Sequence, residues 1–290
     1  MGTIARVHWS LRRRAPDVLL IDVELRRGEE LYLMLSSDRH YDHPAQRSSL
    51  ELRQLELARE RNAIILDFGD LFDAMQGKHD PRASYSVLTH QFKRDEYFDA
   101  LVERAVKRYS PYAAHFAMLT MGNHEQSVLR HCGTSLADRL AAALRERGSQ
   151  CVAMPYAGWI RLTVSTTTPR VGSLTIRYSH GSGSGAMMSF GTLDTRRMQS
   201  YISADVIVQG HTHDCYVLPV AREELSGSGI PRRSHTWHIR CPSYLDDYAE
   251  RGYPARTGKP PRVYGCVWGR LTVTRTPRRL VAEFSLDVEP

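Results

Sequence analysis

No apolar run in the 290-residue sequence approaches the ~18 residues that a membrane-crossing helix needs, and residues 1–6 are not followed by the apolar stretch of a secretory leader. The chain therefore reads as soluble, with no membrane partner. Cysteine is scarce. Cys132, Cys151, Cys215, Cys241 and Cys266 are odd in number and none forms a CxxC pair, which excludes a zinc ribbon and a disulfide framework and points to a reducing cytoplasm. Linkers, internal repeats and low-complexity segments are also lacking, so one domain over residues 1–290 is expected. The glycine-rich stretch from His180 to Gly185 lacks the Lys and Ser/Thr of a phosphate-cradling P-loop and precedes no clear helical pattern. What the chain does have is basic charge: a formal net charge of +7 and a pI near 9.3 favour acidic partners, among them phosphate esters and nucleic acid.

Hydrophobic periodicity divides the chain into two textures. Residues 18–25 and 31–35 are apolar runs around Arg26-Arg27-Gly28-Glu29-Glu30, which predicts a β-hairpin. Residues 48–61, 92–109 and 134–147 carry apolar residues at helical spacing, and short apolar strands at 63–66 and 116–120 lie among them. From residue 159 onward strands dominate, at 159–164, 174–178 and 205–208, and a C-terminal hairpin is expected at 263–288 around Thr276-Pro277-Arg278. Strand–helix alternation followed by strands predicts an α/β fold: a two-sheet β-sandwich flanked by helices, in four layers. Residues 31–214 form the motif-bearing core, and two stretches, 76–91 and 214–262, read as long loops.

Polar clusters follow five of the short strands. They are Ser37-Asp38-Arg39-His40, Asp67-Phe68-Gly69-Asp70-Leu71-Phe72-Asp73, Met121-Gly122-Asn123-His124-Glu125, Ser179-His180-Gly181 and Gly210-His211-Thr212-His213. On an extended segment residues i and i+2 point the same way, so Asp38 and His40 can grip one ion together, and His211 and His213 leave their segment in similar directions. The donor set mixes carboxylate, imidazole and amide without thiolate, which suits Mn²⁺, Fe or Zn²⁺. Asp38, His40, Asp70, Asn123, His180, His211 and His213 are too many groups for one ion and suit two ions that share a carboxylate.

Asp38-x-His40, Gly69-Asp70-x-x-Asp73, Gly122-Asn123-His124-Glu125, His180 and Gly210-His211-x-His213 resemble, in order, the five motifs of the calcineurin-like metallophosphoesterases. The resemblance implies one metal site of Asp38, His40, Asp70 and His213, and a second of Asp70, Asn123, His180 and His211. Asp70 would bridge two divalent ions, Mn²⁺ first and Fe or Zn²⁺ as alternatives. His124 would face the scissile phosphate as general acid or charge donor, with Asp73 orienting it, while a metal-bridging hydroxide attacks in line. Ala74 replaces the arginine that protein phosphatases of the superfamily carry after the second motif, and Glu125 replaces the aspartate of its nucleases. The pattern looks more like compact stand-alone phage and bacterial members, which implies a cytoplasmic enzyme acting on a phosphodiester of nucleic acid or a nucleotide. A phosphomonoesterase and a catalytically silent binding module are the alternatives. Arg39, Lys78 and Arg82, with Arg196 and Arg197, are candidate substrate contacts, and Tyr244, Asp246, Asp247 and Tyr248 are candidates to line the mouth. His43 could support the ligands from behind, as could Asp67.

Overall fold

A computed structural model describes residues 7–74, 90–93, 96–166, 170–183, 192–246, 261–276 and 280–289. In chain order these residues form β1 (His8–Ala15), β2 (Val18–Glu24), β3 (Glu30–Ser36), α1 (Ser48–Glu60), β4 (Ile64–Asp67), α2 (Tyr97–Tyr109), β5 (Phe116–Thr120), α3 (Asn123–Cys132) and α4 (Leu136–Arg145). The second half contributes β6 (Val152–Met154), β7 (Ala157–Ser165), β8 (Arg170–Ser179), α5 (Thr192–Gln199), β9 (Val206–Gln209), β10 (Tyr216–Leu225), β11 (Pro231–Arg240), β12 (Cys266–Arg275) and β13 (Leu280–Glu289). Two mixed sheets result, ordered β1-β2-β7-β8-β9-β11-β10 and β13-β12-β3-β4-β5-β6.

Side-chain alternation explains how the layers stack. In β2, Leu19, Ile21 and Val23 are buried while Asp22 faces water, and β7 repeats the pattern with Ile160, Leu162 and Val164. These side chains meet Leu31, Leu33 and Leu35 of β3 in one core between the sheets. The other face of the six-stranded sheet presents Met34, Ile65 and Phe116 to Leu55 of α1, Leu101 of α2 and Leu140 of α4. Strands β3, β4 and β5 are thus covered on both faces, and this is why they read as continuous apolar runs. Truncating a side chain such as Leu33, which is fully buried, would cost about 2–5 kcal/mol. On the outer face of the seven-stranded sheet, Met198 of α5 packs with Ile202, Ala204 and Ile207. The α/β sandwich with flanking helices expected from the sequence is what the chain forms.

Three local expectations change. Residues 18–25 and 31–35 are not a hairpin, because β2 pairs in parallel with β7 whereas β3 pairs with β4 and β12 in the other sheet. The polar turn around Gly28 carries the chain from one sheet to the other, so both runs point into the same core from opposite sides; the hairpin partner of β2 is β1. The stretch 214–262 is not simply a loop, since β10 and β11 form a long antiparallel ladder within it. Helix α3 was not expected, because it starts inside the third motif at Asn123 and its first turn is polar. The 76–91 loop lies almost wholly outside the described residues, and so do Lys78, Arg82, Asp247 and Tyr248.

Candidate metal centre

All five motif loops leave the C-terminal ends of strands. Those after β3, β4 and β5 come from one sheet and those after β8 and β9 from the other, so their polar residues meet at a common edge of the sandwich. The loops are tied together through the backbone. Asp38 N–H donates to the Gly69 carbonyl at 2.9 Å, His40 N–H to the Asp70 carbonyl at 3.0 Å, and Gly210 N–H to the His180 carbonyl at 3.0 Å. Close approach requires glycine at two places. A Cβ on Gly122 would stand 2.0 Å from Asp70 Oδ1, and one on Gly210 would stand 2.0 Å from Ser37 Oγ and 2.5 Å from Asp38 Oδ2. The ligand residues themselves adopt left-handed backbone: φ is 52° at Asp38, 42° at His40, 52° at Asp70, 72° at His211 and 60° at His213. Such conformations cost free energy in non-glycine residues and persist where the surroundings enforce them.

The side chains converge accordingly. His40 Nε2 lies 3.2 Å from His213 Nε2, and Asp38 Oδ1 lies 3.3 Å from His213 Nε2, 3.9 Å from His180 Nε2 and 4.0 Å from His40 Nε2. Asp70 Oδ2 is 3.0 Å from His180 Nε2 and 3.7 Å from His124 Nε2. Asn123 Oδ1 is 2.7 Å from His211 Nδ1 and 3.2 Å from His180 Nε2. Three groups have ligand atoms mutually within 4.8 Å: Asp38, His40 and His213; Asp70, His180 and His211; and His40, Asp70 and His124. Asp70 belongs to two of them. His124, expected to stand apart from the ligands, falls within the third.

Support from behind fixes the imidazole orientations. The Nδ1 of His40 bonds an Asp73 carboxylate oxygen at 2.9 Å and the Nδ1 of His180 bonds the Phe68 carbonyl at 2.8 Å, which directs both Nε2 atoms into the centre. Asp73 was expected to orient His124 with its carboxylate. Instead that carboxylate holds His40, and His124 Nδ1 donates to the Asp73 backbone carbonyl at 2.5 Å. Two supports were missed by sequence reading. Glu125 accepts from the backbone N–H groups of Asp70, Phe72 and Gly122 at 3.1, 2.9 and 2.9 Å, clamping two motif loops to each other. Asp42 accepts from Asp73 and Ala74 N–H at 2.7 and 2.9 Å. Its position two residues beyond His40, in the same Asp-x-His-x-Asp phase, was the available signal.

Other candidates sit elsewhere. Arg39 cannot reach a substrate: its guanidinium is 0% exposed, pairing with Asp67 at 2.6 Å and Glu51 at 2.9 Å. Asp67 therefore holds Arg39, not a ligand. Tyr244 is fully buried and donates to Gln54 Oε1, so it does not line a mouth, and Asp246 pairs with Arg47 at 3.2 Å. Arg197 is exposed on α5, which also carries Arg196. His43 is half-buried and accepts from Ala45 N–H.

The donor set fits a cation. Asp38 Oδ1 is buried and receives no hydrogen bond, although three imidazole Nε2 atoms face it. Such an orphaned carboxylate oxygen is costly unless a positive charge compensates it. Burial alone would lower the pKa of His180, but the carboxylates of Asp70 and Asp38 overcome this and push it up to about 10. The cluster thus has an excess of negative charge for its degree of burial, as expected where divalent metal belongs.

Residues 32–215 match the model of the calcineurin-like phosphoesterase family. The chain is a calcineurin-like phosphoesterase. No curated protein sequence matches it. Among solved structures it is similar to Vps29 complexed with zinc from Entamoeba histolytica, at 12% identity and a TM-score of 0.35 over 88% of this chain and 98% of that one. It is similar also to a conserved uncharacterised protein, a predicted phosphoesterase, from Streptococcus pneumoniae (12% identity, TM-score 0.32, 89% and 98% covered). A third is GAP50 of Plasmodium, the anchor in the inner membrane complex (11% identity, TM-score 0.42, 88% and 84% covered). Among the described residues of this calcineurin-like phosphoesterase, no helix is long and apolar enough to cross a membrane.

Proposed function

We propose that the chain hydrolyses a phosphate ester at two divalent metal sites, one of Asp38, His40, Asp70 and His213 and one of Asp70, Asn123, His180 and His211, with Asp70 shared. The observation that carries this reading is the enclosed Asp38 Oδ1, without a hydrogen bond and ringed by the Nε2 atoms of three histidines. Bound divalent ions supply Lewis acidity, lowering the pKa of a water and neutralising charge on the phosphate. The chain's own residues do the rest. Asp73 and the Phe68 carbonyl hold His40 and His180 in the tautomer that leaves Nε2 free to bind. His124, held through Nδ1 by the Asp73 carbonyl, keeps its Nε2 at 3.7 Å from Asp70 Oδ2, beside the place where a phosphate would react. It serves as the general acid or the charge donor to the leaving oxygen.

The preferred substrate is a phosphodiester in nucleic acid or a nucleotide. The net charge of +7 and Ala74 in place of a phosphate-gripping arginine support that preference. Mn²⁺ is the first metal to try, since oxygen and imidazole donors without thiolate suit it, with Fe and Zn²⁺ as alternatives. The test compares wild type, His124→Ala and Asp70→Asn on p-nitrophenyl phosphate, bis-p-nitrophenyl phosphate and single-stranded DNA, with metal content measured on the same samples. About two ions per chain, diester turnover and its loss in both variants are expected. A metal-loaded chain inactive on all three substrates would sink the hydrolase reading. Monoester turnover alone would overturn the diester preference, and an Asp70→Asn variant with full metal and full rate would remove Asp70 from the bridge.

A further inference from the structure

Two arginines are enclosed in this fold, Arg39 at 0% and Arg240 at 1% exposure. Arg39 is neutralised by two carboxylates. Arg240, at the end of β11, is not. Among the described residues its one hydrogen bond runs from Nη1 to the Gly210 carbonyl at 2.9 Å, and its Nε and Nη2 are buried without a partner. An enclosed guanidinium with no counter-charge is costly, so a fold that keeps one implies an anion that arrives from outside. The open groups are also the right pair. Nε–H and Nη2–H lie side by side on one edge of the guanidinium, the edge that grips a carboxylate or phosphate with two parallel hydrogen bonds.

Its location ties this edge to the metal centre. A Cβ on Gly181 would meet Arg240 Nη1, the Gly210 carbonyl oxygen and His211 Cβ at 3.2, 3.2 and 3.3 Å, so Arg240 stands against the turns that carry His180 and His211. Its guanidinium carbon lies 5.9 Å from the centroid of the Tyr216 ring. Tyr216 also lines a cavity of about 380 Å³ with Thr192, Asp214 and Arg262.

We propose that the Nε/Nη2 edge of Arg240 is an oxyanion site that takes two non-bridging phosphate oxygens of the substrate ester. The proposal rests on the phosphoesterase reading above. Wild type, Arg240→Gln and Arg240→Lys are compared as full-length chains whose folding is checked by circular dichroism. Inorganic phosphate is titrated calorimetrically into metal-free and metal-loaded protein, and KM and kcat are measured on both p-nitrophenyl esters. Wild type binds phosphate even without metal. Arg240→Gln weakens that binding by about ten- to a hundredfold, the usual range for hydrogen bonds to a charged group, and raises KM more than it lowers kcat. Arg240→Lys, which keeps the charge but not the fork, falls between, and it decides the question if Arg240→Gln does not fold. Metal content stays at the wild-type level in both. Unchanged phosphate affinity in the variants overturns the site, as does a loss that appears only together with loss of metal, since Arg240 would then merely hold the Gly210 turn. Titration of metal-free protein needs no turnover, so the two readings fail separately. An inactive chain whose phosphate binding depends on Arg240 keeps this site and sinks the hydrolase, whereas an active chain with unchanged phosphate affinity does the reverse.

Discussion

Replacing Arg39 by Met separates a structural arginine from a substrate contact. The guanidinium donates to Asp67 Oδ2 at 2.6 Å, Glu51 Oε1 at 2.9 Å and Ser36 Oγ at 2.8 Å, all in the buried layer between α1 and the six-stranded sheet. Methionine keeps the length of the side chain but leaves two carboxylates enclosed with fewer donors. Breaking a buried pair from one side costs about 3–5 kcal/mol, which for a chain of this size lowers the melting temperature by about 10 °C. The deficit depends on pH. Burial would raise the Glu51 carboxyl, but Arg39, Arg108 and the Tyr109 hydroxyl reverse this and hold it below its ordinary value of 4.5. A folded-state pKa below the unfolded one gives stability that is present above the unfolded value and lost as pH falls through the folded one. The gap between wild type and Arg39→Met is therefore widest near neutral pH and narrows toward pH 4, where the mutant's unpaired carboxylates take up protons. Thermal melts at several pH values read this, and steady-state kinetics on the surviving fold reads the rest: KM is unchanged. An unchanged melting temperature with a raised KM would refute the structural reading and return Arg39 to the substrate.

Two further substitutions probe how the loops are clamped. Gly122→Ala places a methyl 2.0 Å from Asp70 Oδ1 at a position whose backbone any residue can adopt, so the effect is purely steric. Asp70 is displaced, at an overpacking cost of about 1–3 kcal/mol, and turnover falls by about a hundredfold with lower metal occupancy; wild-type metal content and rate in this variant would contradict the geometry. Glu125→Ala orphans three buried N–H groups at about 1–3 kcal/mol each. It is expected to lower both melting temperature and metal content, and an effect on only one of the two would show that the clamp does not couple them.

The parts of this protein that were legible in its sequence are those governed by local chemistry. Strands β4, β5 and β9 announce themselves because both of their faces are buried, and the motif residues because Asp, Asn, His and Gly recur just after such strands. What the sequence concealed depends on partners distant along the chain. The two apolar runs around Gly28 have the composition of a hairpin, and only the parallel neighbours β7 and β4 reveal that they belong to different sheets. Arg39 looks like a surface cation beside a metal ligand until Glu51, on the following helix, is seen to enclose it. Asp73 stands three residues from Asp70 in either reading, yet which of its oxygens serves which histidine is a matter of ångströms that spacing does not encode.

The centre draws Asp38, His40, Asp70 and Asn123 from one sheet and His180, His211 and His213 from the other, so it straddles the seam of the sandwich. Before the sheets dock, neither half holds more than a fragment of it. Ion uptake and closure of the hydrophobic seam are therefore linked equilibria: whatever favours one favours the other. An ion bound across that seam is a rivet as well as a reagent. Loosening the distant inter-sheet packing, at Leu33 or Ile176 for example, would be felt at the centre as faster loss of the ion, with no ligand altered.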